Sequence, residues 1–136
     1  MIVDLMDAAQ TAVFGALSGR QALTNLSQVT QHVLPNMLDA GHITRIGKIE
    51  SGPIGEKSDQ LEEISIDIET LYRGTSRAEV LAIMFQQRLA LDGQALAHDG
   101  VAFDTPEWAG AVVDGPAKDG VTYVGIQTFT IIAEPA

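Results

Sequence analysis

Several things are missing from this 136-residue chain, and each absence closes off a class of function. There is no cysteine, which excludes disulfide frameworks and thiol chemistry and suits a reducing compartment. No apolar run approaches the ~18 residues that span a bilayer. The N-terminal run Met1-Ile2-Val3-Asp4 carries acid where a secretory signal carries base. The expectation is a soluble, cytosolic chain with no membrane association. Basic residues are scarce: eight Lys and Arg against eighteen Asp and Glu, a net charge of −10. Affinity for nucleic acid needs Lys and Arg to neutralise phosphates, and eight scattered bases supply no patch. Tight DNA or RNA binding is not expected, although an acidic surface past which DNA slides is compatible with like-charge repulsion.

What is present is apolar material. Hydrophobic residues make up 46% of the chain, enough to collapse, and the length suits one domain (1–136) with a core of its own. Residues 61–72 alternate, with Ile64, Ile66 and Ile68 on one face and Glu63, Asp67 and Glu69 on the other, the period of a half-buried strand. Arg73-Gly74-Thr75 breaks the run. Ser76 with Glu79 three residues later forms a capping box at a helix start. Residues 80–85 are then all apolar, and Leu89 and Leu91 extend the pattern. A helix apolar most of the way round needs cover on more than one side. One sheet covers one side, so the surplus points to another element or another subunit.

Around this centre, residues 4–17 have helical spacing, with Gly19 as a left-handed stop. Residues 25–34 read as a short strand through Val29 and Val33, closed by Pro35, and residues 36–41 as a connector. Residues 42–49 are a β-branched strand although Ile43, Ile46 and Ile49 sit on mixed parity. Residues 51–60, rich in Gly, Pro, Ser and charge, form the projecting, mobile tip of a hairpin. After Asp92-Gly93, strands are expected at 94–103 and 105–113, a turn at 115–120, and a last strand at 121–132 apolar on both faces and so covered on both. The order gives an α+β fold: a mostly antiparallel sheet of about five or six strands with two helices packed on one face.

Chemistry is sparse. His32, His42 and His98 lie apart, and no His-x-x-x-His or Glu-x-x-His pair offers a metal two ligands from one helix. Glu63, Asp67 and Glu69 share a strand face, on which neighbours two residues apart sit roughly 7 Å from each other. Such carboxylates suit acid–base work or a cation, and a solvated acidic face is the plainer reading. The Ser51 to Gly55 run is no nucleophile elbow, and Gly47, Gly52 and Gly55 fit no nucleotide fingerprint. Arg73 and Arg77 flank the turn before the capped helix, placed to grip an anion or to form surface or interface salt bridges. Trp108, the one tryptophan, is a core residue by default and an interface anchor otherwise. No catalytic, cofactor or metal site emerges. A non-catalytic domain is expected.

The chain resembles the tail completion, or tail terminator, proteins of long-tailed bacteriophages and gene-transfer-agent-like particles, over nearly its whole length. The resemblance rests on the N-terminal amphipathic helix at Met6-Asp7-Ala8-Ala9 and on the Ile-x-Ile-x-Ile strand running into Leu71-Tyr72-Arg73-Gly74. It continues in the helix opening Ser76-Arg77-Ala78-Glu79-Val80, the Leu-x-Leu-Asp-Gly segment at Leu89 to Gly93, and a final strand with Gly125 and Phe129. Of a Val-Tyr-Asp-like strand ahead of a proline, which such proteins often carry, only Val33 and Pro35 are present. The resemblance implies a structural virion protein of the tail or neck, assembled in the host cytoplasm, without catalysis or cofactor. It implies a homo-oligomer, a hexameric ring on the head-proximal end of the tail tube, that stops tail polymerisation and joins the tail to the head–tail connector protein, with tail tube protein as the other partner. DNA passes through the lumen without specific binding. Glu63, Asp67 and Glu69 are expected to face the lumen or a neighbour, with Arg73, Arg77, Met84, Phe85 and Trp108 as further interface candidates and residues 51–60 as a docking arm. The competing expectations are another neck or connector component, or a small-molecule-binding domain whose site draws on His98, Asp99 and Asp104.

Overall fold

The computed structural model describes residues 2–31, 41–55 and 59–136. The elements are α1 (Leu5–Ser18), α2 (Gln21–Thr24), β1 (Gln28–Val29), β2 (His42–Pro53), β3 (Glu62–Arg73), α3 (Arg77–Leu91), β4 (Val101–Phe103), β5 (Glu107–Asp114) and β6 (Thr122–Pro135). Among the described residues the strands form one sheet in the order β1-β2-β3-β6-β4, with β5 pairing β6 beside β4. Among these pairings only β1–β2 is parallel. This is the expected α+β class, with the one-turn α2 added.

Period-two patterning decides which face of the sheet is covered. On β3, Ile64, Ile66, Ile68 and Tyr72 are buried; on β6, Phe129, Ile131 and Ala133 are buried opposite them. Against this face pack Leu5, Ala8, Ala9, Val13 and Leu17 of α1 and Val80, Ile83, Met84 and Leu91 of α3. Each fully buried Ile, Leu or Phe contributes about 1.5–3 kcal/mol. The helix approaches β6 closely at Gly125, where a Cβ would lie 2.5 Å from the Met84 sulfur.

The mixed parity of β2 has a local cause. Ile46 pairs with Ile68 and Ile49 with Ile66, so Gly47 and Lys48 together stand opposite Asp67. This bulge reverses the alternation, and Ile46 and Ile49 both reach the core. A Cβ at Gly47 would lie 2.5 Å from Glu69 Oε2, so the glycine makes room for that carboxylate.

Helix ends follow their caps. Asp4 Oδ1 accepts from the Asp7 amide at 3.1 Å, and Ser76 Oγ accepts from the Glu79 amide at 3.3 Å. The reciprocal half of the capping box runs through a third residue. Glu79 accepts from the Tyr72 hydroxyl at 2.7 Å, and that hydroxyl accepts from the Ser76 amide at 3.3 Å. Burial, then the bond to Glu79, raises the Tyr72 phenol pKa.

Several expectations are corrected. Gly19 is helical (φ −82°) rather than left-handed, and the chain runs straight on into α2. Residues 94–103 are extended only at Val101–Phe103, since Gly93 and Gly100 adopt φ of 70° and 79° and turn the chain. The β2 strand continues through Ser51, Gly52 and Pro53, which shortens the hairpin tip; the Ile54 amide still donates to Leu61 O at 2.9 Å. The outer face of β6, including Val124, Ile126 and Ile132, is half-buried rather than covered, because both helices lie on the other side. Of the strand expected at 25–34, Gln28–Val29 is formed. His32, Val33, Pro35 and the connector up to residue 40 lie outside the described residues, as do 56–58 of the docking arm.

Candidate assembly interface

Helix α3 carries apolar side chains on two sides. Val80, Ile83, Met84, Gln87 and Leu91 repeat at three- and four-residue steps and are buried. Leu81, Phe85 and Leu89 repeat at four-residue steps along the other side and are 50%, 57% and 38% exposed. Leu81 and Phe85 of that stripe face an open cleft of about 280 Å³ between α3 and β5, with Arg88, Trp108 and Ala111 also on its walls and Met84 and Gln127 beneath. Val112, 61% exposed on β5, pairs with Ile126 and so presents its side chain on the opposite, outer face of the sheet. Contiguous apolar surface of this kind marks an interaction site far more often than single exposed residues do.

Trp108 departs from its default core role. It lies on β5, which pairs only with β6 and so has no neighbour on its other side among the described residues. Arg88 stacks its guanidinium 3.9 Å from the indole centroid, and the indole N–H donates to Gln127 Oε1 at 3.2 Å. Arg88 is held in turn by Asp92, 3.4 Å away. The ring is therefore fixed but 37% exposed, a rigid anchor at the cleft wall.

Beneath the cleft a polar chain crosses the core. Gln127 Nε2 donates to Met84 O at 2.7 Å and to Gln87 Oε1 at 2.8 Å. Gln87 Nε2 donates to the hydroxyls of Thr44 (2.9 Å) and Thr70 (2.7 Å), and Thr44 lies 2.6 Å from the Ser27 hydroxyl. Among the described residues no buried side-chain polar atom is left unpaired. A fully satisfied network of this kind fixes one orientation of α3 on the sheet, because any other leaves polar groups unpaired. Sequence reasoning passed over it; the signal was Gln87 interrupting an apolar helix face.

The remaining candidates occupy two other places. Glu63, Asp67 and Glu69 lie on the outer face of the sheet, away from both helices. Asp67 accepts from the Thr128 hydroxyl at 2.7 Å, Glu69 pairs with Arg45 at 2.7 Å, and Glu63 is exposed beside an open cleft of about 800 Å³ shared with Glu50, Ser51 and Ile132. Arg73 and Arg77 sit at the end of the sheet near the 115–120 turn. Arg73 is 3.8 Å from Asp119. Arg77 donates to Gly115 O at 2.5 Å and lies 6.0 Å from the Tyr123 ring centroid. Asp119 accepts from the Thr122 hydroxyl and from the Val121 and Thr122 amides. These bonds, with a lesser part from Arg73, hold its carboxyl at a pKa of about 2.

The residues of the small-molecule alternative do not converge. His98 Nδ1 contacts Asp99 O at 3.1 Å and His98 bridges Val101, while Asp104 turns its amide to Ile132 O. Among the described residues no three His, Asp or Glu side chains are gathered to hold a metal, and no helix is long and apolar enough to cross a membrane.

No protein-family model matches the sequence, and no curated protein matches it. Solved structures do. A chain of the virion of a native gene transfer agent particle superposes with a TM-score of 0.83 at 18% identity, over 97% of this chain and 99% of that one. The gp17 protein of bacteriophage SPP1 superposes with a TM-score of 0.61 at 25% identity, over 93% of this chain and 89% of that one. Both matches support the resemblance carried by the sequence motifs, and the chain has the fold of the bacteriophage tail completion and terminator proteins.

Proposed function

We propose that this chain is a structural component of a phage-like virion that forms a ring, six copies in number, on the head-proximal end of the tail tube. There it stops tube growth and joins the tail to the head–tail connector. The observation that carries the reading is the second apolar side of α3, formed by Leu81, Phe85 and Leu89 and left open in the single chain. A ring is closed by repeating one heterologous contact, and each copy must then offer surface beyond its own core. The shared fold with particle proteins supports the virion setting. The acidic outer face with Glu63, Asp67 and Glu69 suits a lumen, since like charge lets DNA pass without adhering. No step of this role calls for catalysis.

Light scattering over a wide concentration range, with negative-stain imaging and added purified tail tubes, tests the reading. The expected result is a six-subunit ring with a central hole, or tubes capped at one end. A stable dimer enclosing a pocket, or tubes that stay uncapped and keep growing, contradicts it.

A further inference from the structure

Among the described residues both edges of the sheet lack a further strand over part of their length, and the two edges match. Past Thr44, β2 has no strand on its outer side among the described residues, so the backbone groups of residues 45–53 that point away from β3 have no strand partner there among them. At the other edge, Asp92 caps the Trp108 amide at 3.2 Å, and residues 110–114 of β5 have no strand on the side away from β6 among the described residues. Unpaired edges of this kind template pairing with another chain. Strand direction alternates: β2 and β6 run one way, β3 and β5 the other. A rotation about an axis along the strands therefore brings β5 of one copy against β2 of the next in antiparallel sense, the pairing used by every neighbouring pair in the sheet except β1–β2.

Charge and side-chain facing agree with that union. The β5 strand carries Glu107 and Asp114 and no base, whereas residues 45–53 carry Arg45 and Lys48 and one carboxylate, Glu50. By register all of these lie on the outer face. Lys48 and Arg45 are already engaged by Glu50 and Glu69 within the chain. The edge as a whole is nevertheless the base-bearing one in a chain of net charge −10. On the inner face, the same register sets Ile46 and Ile49 of the incoming edge on the side occupied by Leu81, Phe85 and Trp108.

We propose that copies of this chain join through β5 of one and β2 of the next, so that a single sheet continues from copy to copy and the α3 stripe closes over the seam. The proposal rests on the ring reading above and specifies its contact. The natural absence of cysteine gives a clean test. Val112→Cys is combined in turn with Arg45→Cys, Lys48→Cys and Glu50→Cys, and each double variant is oxidised under conditions where scattering shows the assembled species. At least one double variant should give a covalent ladder up to the full ring on a denaturing gel, while each single variant stops at dimer or below. A ring by scattering with no ladder from any of the three overturns the strand union and leaves the ring standing. A chain that stays monomeric even with tail tubes overturns both.

Discussion

The two long helices are cut from similar material and end in different states. Helix α1 buries Leu5, Ala8, Ala9, Val13 and Leu17, and among the described residues none of its large apolar side chains is left exposed. Helix α3 buries a comparable set and still exposes Leu81, Phe85 and Leu89. The first is amphipathic and finished by the fold of one chain. The second has a core side and an outer side, and only the core side is satisfied. On the proposed ring, folding and assembly draw on different sides of one helix, and substitutions four or fewer residues apart should separate them.

The largest effect belongs to the core side. Met84→Asp puts a charge where the side chain is 5% exposed and packed over Gly125. It should cost more than about 4 kcal/mol and leave no cooperative thermal transition by circular dichroism. Gly125→Ala strikes the same contact from the strand, forcing Met84 aside; a loss of about 1–3 kcal/mol in urea unfolding is expected. Next comes the network that sets the tilt of α3. Gln127→Leu removes the partner of the Trp108 indole and of Gln87 and should cost about 1–3 kcal/mol. Because Trp108 is the one tryptophan, its emission should shift with the substitution. Unchanged emission would show that Gln127 does not hold the ring.

The smallest effect lies far from both helices. Asp119 titrates at about 2 in place of its ordinary 3.8 because the folded turn donates three hydrogen bonds to the ionised form. A depressed folded pKa means its contribution is present in full above 3.8 and fades as pH falls toward about 2. Amide exchange at Val121 and Thr122 should quicken across that window, and Asp119→Asn should abolish the dependence.

Much of this was legible in the residues. The Ile64, Ile66 and Ile68 alternation placed β3, and Ser76 with Glu79 placed the start of α3, because those signals are local and strong. The surplus on α3 was visible in the unbroken run at 80–85, and the four-residue spacing of Leu81, Phe85 and Leu89 even names the open side. Other features depend on partners distant in sequence. The bulge at Gly47 and Lys48 hid the true facing of β2, since parity fails when one residue is inserted. Trp108 is exposed because β5 is an edge strand, and edge status is a property of the whole sheet. Residues 94–100 contain apolar side chains yet turn at Gly93 and Gly100, where glycine geometry prevails over composition. The polar chain from Ser27 to Trp108 joins residues up to 43 positions apart in a single bond, which no window of sequence reveals.

Phe85→Asp is the most direct test of the claim that one side of α3 folds the chain and the other assembles it. Its thermal transition and its mass by light scattering, with and without tail tubes, are to be measured beside the parent protein. The account predicts stability within about 0.5 kcal/mol of the parent, together with loss of the ring and of tube capping. A variant that assembles and caps tubes as the parent does, or one that unfolds as Met84→Asp does, would contradict it.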